Sequence, residues 1–160
     1  MPLSASILSR LLHQHETIGE LISGFSEQQL KHAPDPEKWS AFQNIVHLAA
    51  YQLTHIQRLN LILQADQPRF ERYIAENDPV FYSCLKKSLP ELLDYTNHHR
   101  SLIIDFMTGL GEDKFKLKGI HPKYGSLNLI QWTEFFLLHE AHHLWTILQL
   151  ISTIRTVAQE

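Results

Sequence analysis

From about residue 127 to 153 the chain is apolar nearly all the way round at helical spacing. A helix without a polar face needs other helices around it, so this stretch marks the expected most buried helix of an all-α fold. Three more stretches of helical periodicity, near 4–23, 40–65 and 88–109, can supply its neighbours. Their stripes include Ile7, Leu11, Ile18 and Ile22; Phe42, Ile45, Ala49 and Leu53; and Leu92, Thr96, His99 and Ile103. Ser26 with Gln29, Ser40 with Gln43 and Ser88 with Glu91 have the spacing of capping boxes, and Ser126 is the expected cap of the last helix. Asp78 before Pro79 opens a further short helix. The glycine- and proline-punctuated run from 111 to 125 is expected to be loop or irregular extended chain. No stretch keeps up a strand-like alternation.

Within the last helix, residues 137–148 read L-L-H-E-A-H-H-L-W-T-I-L. His139 and His143 stand four apart, and so lie one above the other on one helix face. Two imidazoles so placed can converge on one divalent ion. The string also satisfies H-E-x-x-H, with Glu140 where a zinc protease keeps its general base. The same letters fit a buried helix carrying a few hydrogen-bonded histidines. A protease of this type takes its third ligand from downstream. Here seventeen residues follow His143, with no histidine and one carboxylate, Glu160. A third ligand is therefore expected from upstream, where His15, His47 and His121 are candidates. His47 lies off the main apolar stripe of its helix, and to act as a ligand it would need a second groove beside the core. Trp132, Phe136, His139, His143 and Leu150 share a stripe, which places Trp132 near such a groove. His55 is expected to be exposed, and His142 to be hydrogen-bonded in the core.

Composition narrows the partners. The 160 residues, 44% hydrophobic and 19% charged, fit one soluble globular domain over 1–160. A net charge of −3 without a basic run argues against nucleic acid. Cys84 is the only cysteine, so there is no internal disulfide, as suits a reducing compartment. The start M-P-L-S-A-S has no signal-peptide pattern, and no apolar run reaches membrane-spanning length. The expectation is a cytoplasmic protein with neither membrane nor nucleic acid as partner.

Three segments, W-S-A-F-Q-N-I-V-H-L at 39–48, H-P-K-Y-G-S-L at 121–127 and H-E-A-H-H-L at 139–144, resemble in order and separation the DinB-like (DinB/YfiT-like) superfamily of metal-dependent enzymes. The likeness covers nearly the whole chain. It implies a four-helix bundle with a long crossover connection. It also implies a divalent metal held by one histidine of the second helix and an H-x-x-x-H pair of the last, here His47, His139 and His143. A homodimer is expected on the same ground. Characterised relatives include transferases and isomerases that use low-molecular-weight thiols such as bacillithiol or mycothiol.

The chemistry of the residues is compatible with this. Three neutral imidazoles leave a metal an open position for water or for a small-molecule substrate. A thiol there would be deprotonated. Equally, a water could attack an ester or amide, with Glu140 as the candidate base. Both a thiol transferase and a hydrolase follow, and so does a non-catalytic metal-binding or stress-related module if a fourth protein ligand closes the site. Imidazoles suit zinc, nickel and iron alike. Since ligating imidazoles must be neutral, affinity is expected to fall as pH drops through the ordinary histidine range near 6.5.

Overall fold

The computed structural model describes residues 3–157, with side chains through 154; Glu160 lies outside them. Helix α1 (Ala5–His13) tightens through a 3-10 turn at Gln14–Glu16 into α2 (Thr17–Ile22), so the first expected helix is present with a break in it. A one-turn α3 (Glu27–Lys31) leads to α4 (Ala41–Gln64). The short α5 (Pro79–Leu85) and long α6 (Leu89–Gly109) follow, and α7 (Leu129–Val157) closes the bundle. All three capping boxes form. For α4, Ser40 N–H donates to Gln43 Oε1 at 2.9 Å, and Gln43 N–H donates to Ser40 Oγ at 3.2 Å. The last helix is capped differently. Ser126 lies in a strand, and Asn128 takes its place, exchanging 2.9 Å bonds with Gln131.

Inside the run read as irregular is a hairpin, β1 (Lys118–His121) against β2 (Gly125–Asn128), antiparallel with His121 opposite Gly125. Its three-residue loop, 122–124, leads into Gly125 at φ +73°, a left-handed conformation that favours glycine. Gly119 is needed for another reason. A Cβ there would come within 2.7 Å of the Phe70 ring and 2.8 Å of Ile62, so the strand lies directly on α4 and the connection after it. That connection is tied down at Ile120, whose N–H donates to the Pro68 carbonyl at 2.8 Å.

Helix α4, which packs against both α6 and α7, is the most enclosed element, with 15 of its 24 residues buried. This corrects the expectation for α7, which leaves Leu138, His142 and Trp145 exposed on one side. His142 is thus a surface residue. His55, expected outside, is 1% exposed and stacks on Phe136 at 4.1 Å. Helical periodicity identifies a face but not what covers it. Here α7 covers His55 through Phe136, and the connection after α4 covers Tyr51 and Arg58.

The core forms two clusters. One gathers Ile18, Ile22, Phe42, Ile45, Leu92, Leu144 and Ile147, the other Leu11, Leu59, Ile62, Ile103, Trp132 and Phe136. In each long helix the change from one cluster to the other falls at a buried polar residue: His15, Gln52, Arg100 and Glu140. Arg100 and Glu140, both fully buried, form an ion pair. Arg100 Nε also donates to Gln52 Oε1 at 3.1 Å, and Nη1 to the Leu11 carbonyl at 3.1 Å, where the first helix tightens. Gln14 Nε2 donates to Glu140 Oε2 at 2.9 Å. Elements from four parts of the chain meet in this polar layer. Among the described residues no helix is long and apolar enough to cross a membrane.

Candidate metal centre

His47 comes from the second turn of α4, seven positions after its Ser40 cap, and His139 and His143 from the middle of α7. The packing of α4 on α7 brings one ring nitrogen of each to within 4.8 Å of the others. His47 Nε2 and His139 Nε2 are 3.0 Å apart, and the ring centroids of His47 and His143 are 4.4 Å apart. His15 is not brought to this cluster. His121 lines the same pocket, but its nitrogens are outside the group.

The donor set fits a metal ion. Two nitrogens each about 2.0–2.1 Å from one ion stand about 3 Å apart, as those of His47 and His139 do. His143 Nδ1 lies 2.8 Å from Asn44 Oδ1. An amide oxygen only accepts, so Nδ1 carries the proton and Nε2 keeps a free lone pair. Burial favours the same state in all three rings. Desolvation, reinforced by the neighbouring histidines, lowers His47 to about 3, His139 to about 2 and His143 to about 4. The imidazoles are neutral, as ligands must be. Nδ1 of His47 and of His139 has no hydrogen-bond partner among the described residues.

No sequence motif marks Asn44. Its place one helical turn before His47 was the available signal, since residues three apart share a face. The side chain is 3% exposed and is itself held by a 2.9 Å bond from its Nδ2 to the Ser40 carbonyl. Groups that orient ligating imidazoles typically change metal affinity 10–100-fold when removed.

The histidines open into a pocket of about 680 Å³. One wall comes from the connection after α4 (Arg72, Tyr73, Glu76), the other from the hairpin (His121, Lys123, Tyr124). Trp39 lines it too, its ring 5.1 Å from His47 and 6.3 Å from His143. Trp132 is fully buried one layer behind, against His121 and Phe70. The indole that reports on this site is therefore Trp39. Titrating nickel should quench its emission, and Trp39→Phe should abolish that change; an unaltered response in Trp39→Phe would refute the placement.

Glu140 is elsewhere. It does not line the pocket, and its carboxylate is taken up by Arg100, Gln14 and Gln52. The reason is tertiary: α6 and the first helix lie against that side of α7, and Arg100 and Gln14 draw the carboxylate into the polar layer. The general-base role read from H-E-x-x-H has no geometric support here, because a base must reach the proton it removes.

The sequence model of the DinB superfamily matches residues 10–147. Two solved structures share the fold. YfiT from Bacillus subtilis, described as a probable metal-dependent hydrolase with an unusual four-helix bundle topology, superposes with a TM-score of 0.78 at 17% identity, over 95% of this chain and 90% of its own. TT2238, a four-helix bundle protein, superposes with a TM-score of 0.64 at 19% identity, over 89% and 95% respectively. No curated protein matches the chain.

Proposed function

We propose that this chain, which belongs to the DinB superfamily, is a metal-dependent enzyme of the thiol-transferase or hydrolase type that holds one divalent ion on His47, His139 and His143. One observation carries the reading: three neutral histidines from two helices, His47 buried and His139 and His143 half-buried, present their nitrogens together at the wall of a sizeable pocket. The ion, when bound, would supply Lewis acidity, lowering the pKa of a water or thiol that shares it. The chain's own residues do the rest. Asn44 fixes the tautomer of His143, while Tyr51 and Trp39 pack on the histidine rings and limit water. Zinc, nickel and iron all suit such a donor set.

Calorimetric titration of untagged protein with zinc tests this. Replacing His47, His139 or His143 by Ala should remove most of the affinity, and the exposed His98→Ala none of it. Asn44→Ala should weaken binding about 10–100-fold. Since burial holds all three pKa values at or below about 4, affinity should stay nearly flat from about pH 8 to about pH 6, above the range in which acid unfolds the protein. That replaces the loss near pH 6.5 expected from sequence. Full affinity in His47→Ala would overturn the three-histidine assignment.

A further inference from the structure

Arg58, on the same helix as His47, is only 8% exposed, yet has no carboxylate partner among the described residues. Its guanidinium rests between the rings of Tyr51, Phe70 and Trp132, at 5.9, 5.4 and 5.7 Å from their centroids. Nη1 donates to the Tyr51 hydroxyl at 3.2 Å and Nη2 to the Glu71 carbonyl at 3.0 Å. A guanidinium has five N–H donors and does not lose its charge in proteins, so these bonds leave donors spare and the charge unbalanced. Buried charges are usually paired. Arg100, on α6, follows that rule with Glu140, and Arg58 departs from it.

The unbalanced charge faces the candidate site. Arg58 lines the same pocket as the three histidines, along with Arg72 and Lys123, and the only carboxylate in that lining is Glu76. Tyr51 links the two ends: its hydroxyl accepts from Arg58, while its ring lies 4.5 Å from that of His139. A ligand held at the histidines would thus have the guanidinium one tyrosine ring away. The planar fork of arginine matches a carboxylate, which it can bind through two parallel bonds.

We infer that the substrate of this pocket carries a carboxylate, and that Arg58 is the residue that binds it. The inference deepens the function proposed above and rests on the pocket being the substrate site. It selects acidic thiols or acidic esters and amides over their neutral counterparts. Arg58 acts on specificity; nothing in its position makes it a metal ligand.

Glutarate, with 1,5-pentanediol as the neutral control, can be titrated into metal-free and zinc-loaded protein while the Arg58 Nε–H resonance is followed by NMR. Glutarate should shift the resonance saturably in both forms, and the diol should not. Arg58→Gln should lower glutarate affinity at least about tenfold and leave zinc affinity unchanged. Absence of saturation in the wild-type protein, or full glutarate affinity in Arg58→Gln, would overturn the assignment; the wild-type arm decides even if the variant folds poorly. Zinc binding is read on the same samples. Glutarate saturation without zinc binding would keep the arginine site and remove the metal reading, whereas zinc binding without glutarate saturation would do the reverse.

Discussion

Glu140→Gln should lower stability by about 3–5 kcal/mol, the usual cost of leaving one member of a buried ion pair without the other. Glu140 and Arg100 are both fully buried, so no water can replace the lost charge. Glutamine keeps the shape and can still accept from Gln14, which isolates the charge as the cause. Arg100→Met alone should cost a similar amount, since it strands the carboxylate instead. Changing both to apolar residues of like volume should restore much of the loss, because desolvating the pair offsets most of its attraction. Urea unfolding of the single and double variants completes the cycle. Losses under about 1 kcal/mol for both singles would show the pair to be far more hydrated than its burial implies. The same variant separates stability from chemistry: Glu140→Gln that folds should still bind zinc, since its carboxylate is outside the pocket.

Acid should unfold the protein well above the pH at which its carboxylates titrate. Five histidines, three buried (His15, His47, His55) and two half-buried (His139, His143), resist protonation in the fold. Burial, followed by the nearby Arg100 charge, lowers His15 to about 4 and holds His55 well below its ordinary value. His47, His139 and His143 are lowered to about 3, 2 and 4, again chiefly by burial. In the unfolded chain each would titrate near 6.5. Below that pH the unfolded state binds more protons, so stability is complete above about 6.5 and falls progressively as pH drops towards the folded values. Each tenfold gap in proton affinity is worth about 1.4 kcal/mol. Several such sites together are a substantial fraction of the roughly 5–15 kcal/mol of an ordinary domain. The chain should therefore unfold cooperatively before the folded pKa values are reached, between about pH 6 and pH 4, taking up several protons. Urea midpoints measured from pH 8 to pH 5 test this, and a midpoint that does not move would refute it. Zinc should displace the transition to lower pH by holding three of the five rings neutral.

Much of this molecule is local and could be read without coordinates. The boxes at Ser26, Ser40 and Ser88 form as their spacing requires, because a cap and its N3 partner belong to the same helical turn. The His139–His143 pair is equally local. The misread cap at Ser126 has a definite cause: the hairpin's register carries the strand to Asn128, and a register is settled by the opposite strand. His47 came from family resemblance, and in the structure its Nε2 meets that of a residue 92 positions away.

By itself, then, the sequence determined the long helices, the three capped starts and the pairing of His139 with His143 on one face, since each depends on residues within about a turn of one another. Tertiary structure alone decided which faces became interior. It turned Glu140 towards Arg100, 40 positions away, and towards Gln14, 126 positions away. It also buried His55, put Trp39 rather than Trp132 beside the histidines, and left Arg58 enclosed without a counter-charge. The polar layer and the burial of His55 come from α6, α7 and the first helix packing on α4, and the enclosure of Arg58 from the connection after α4; the apolar period of a helix does not record what will come to lie on it.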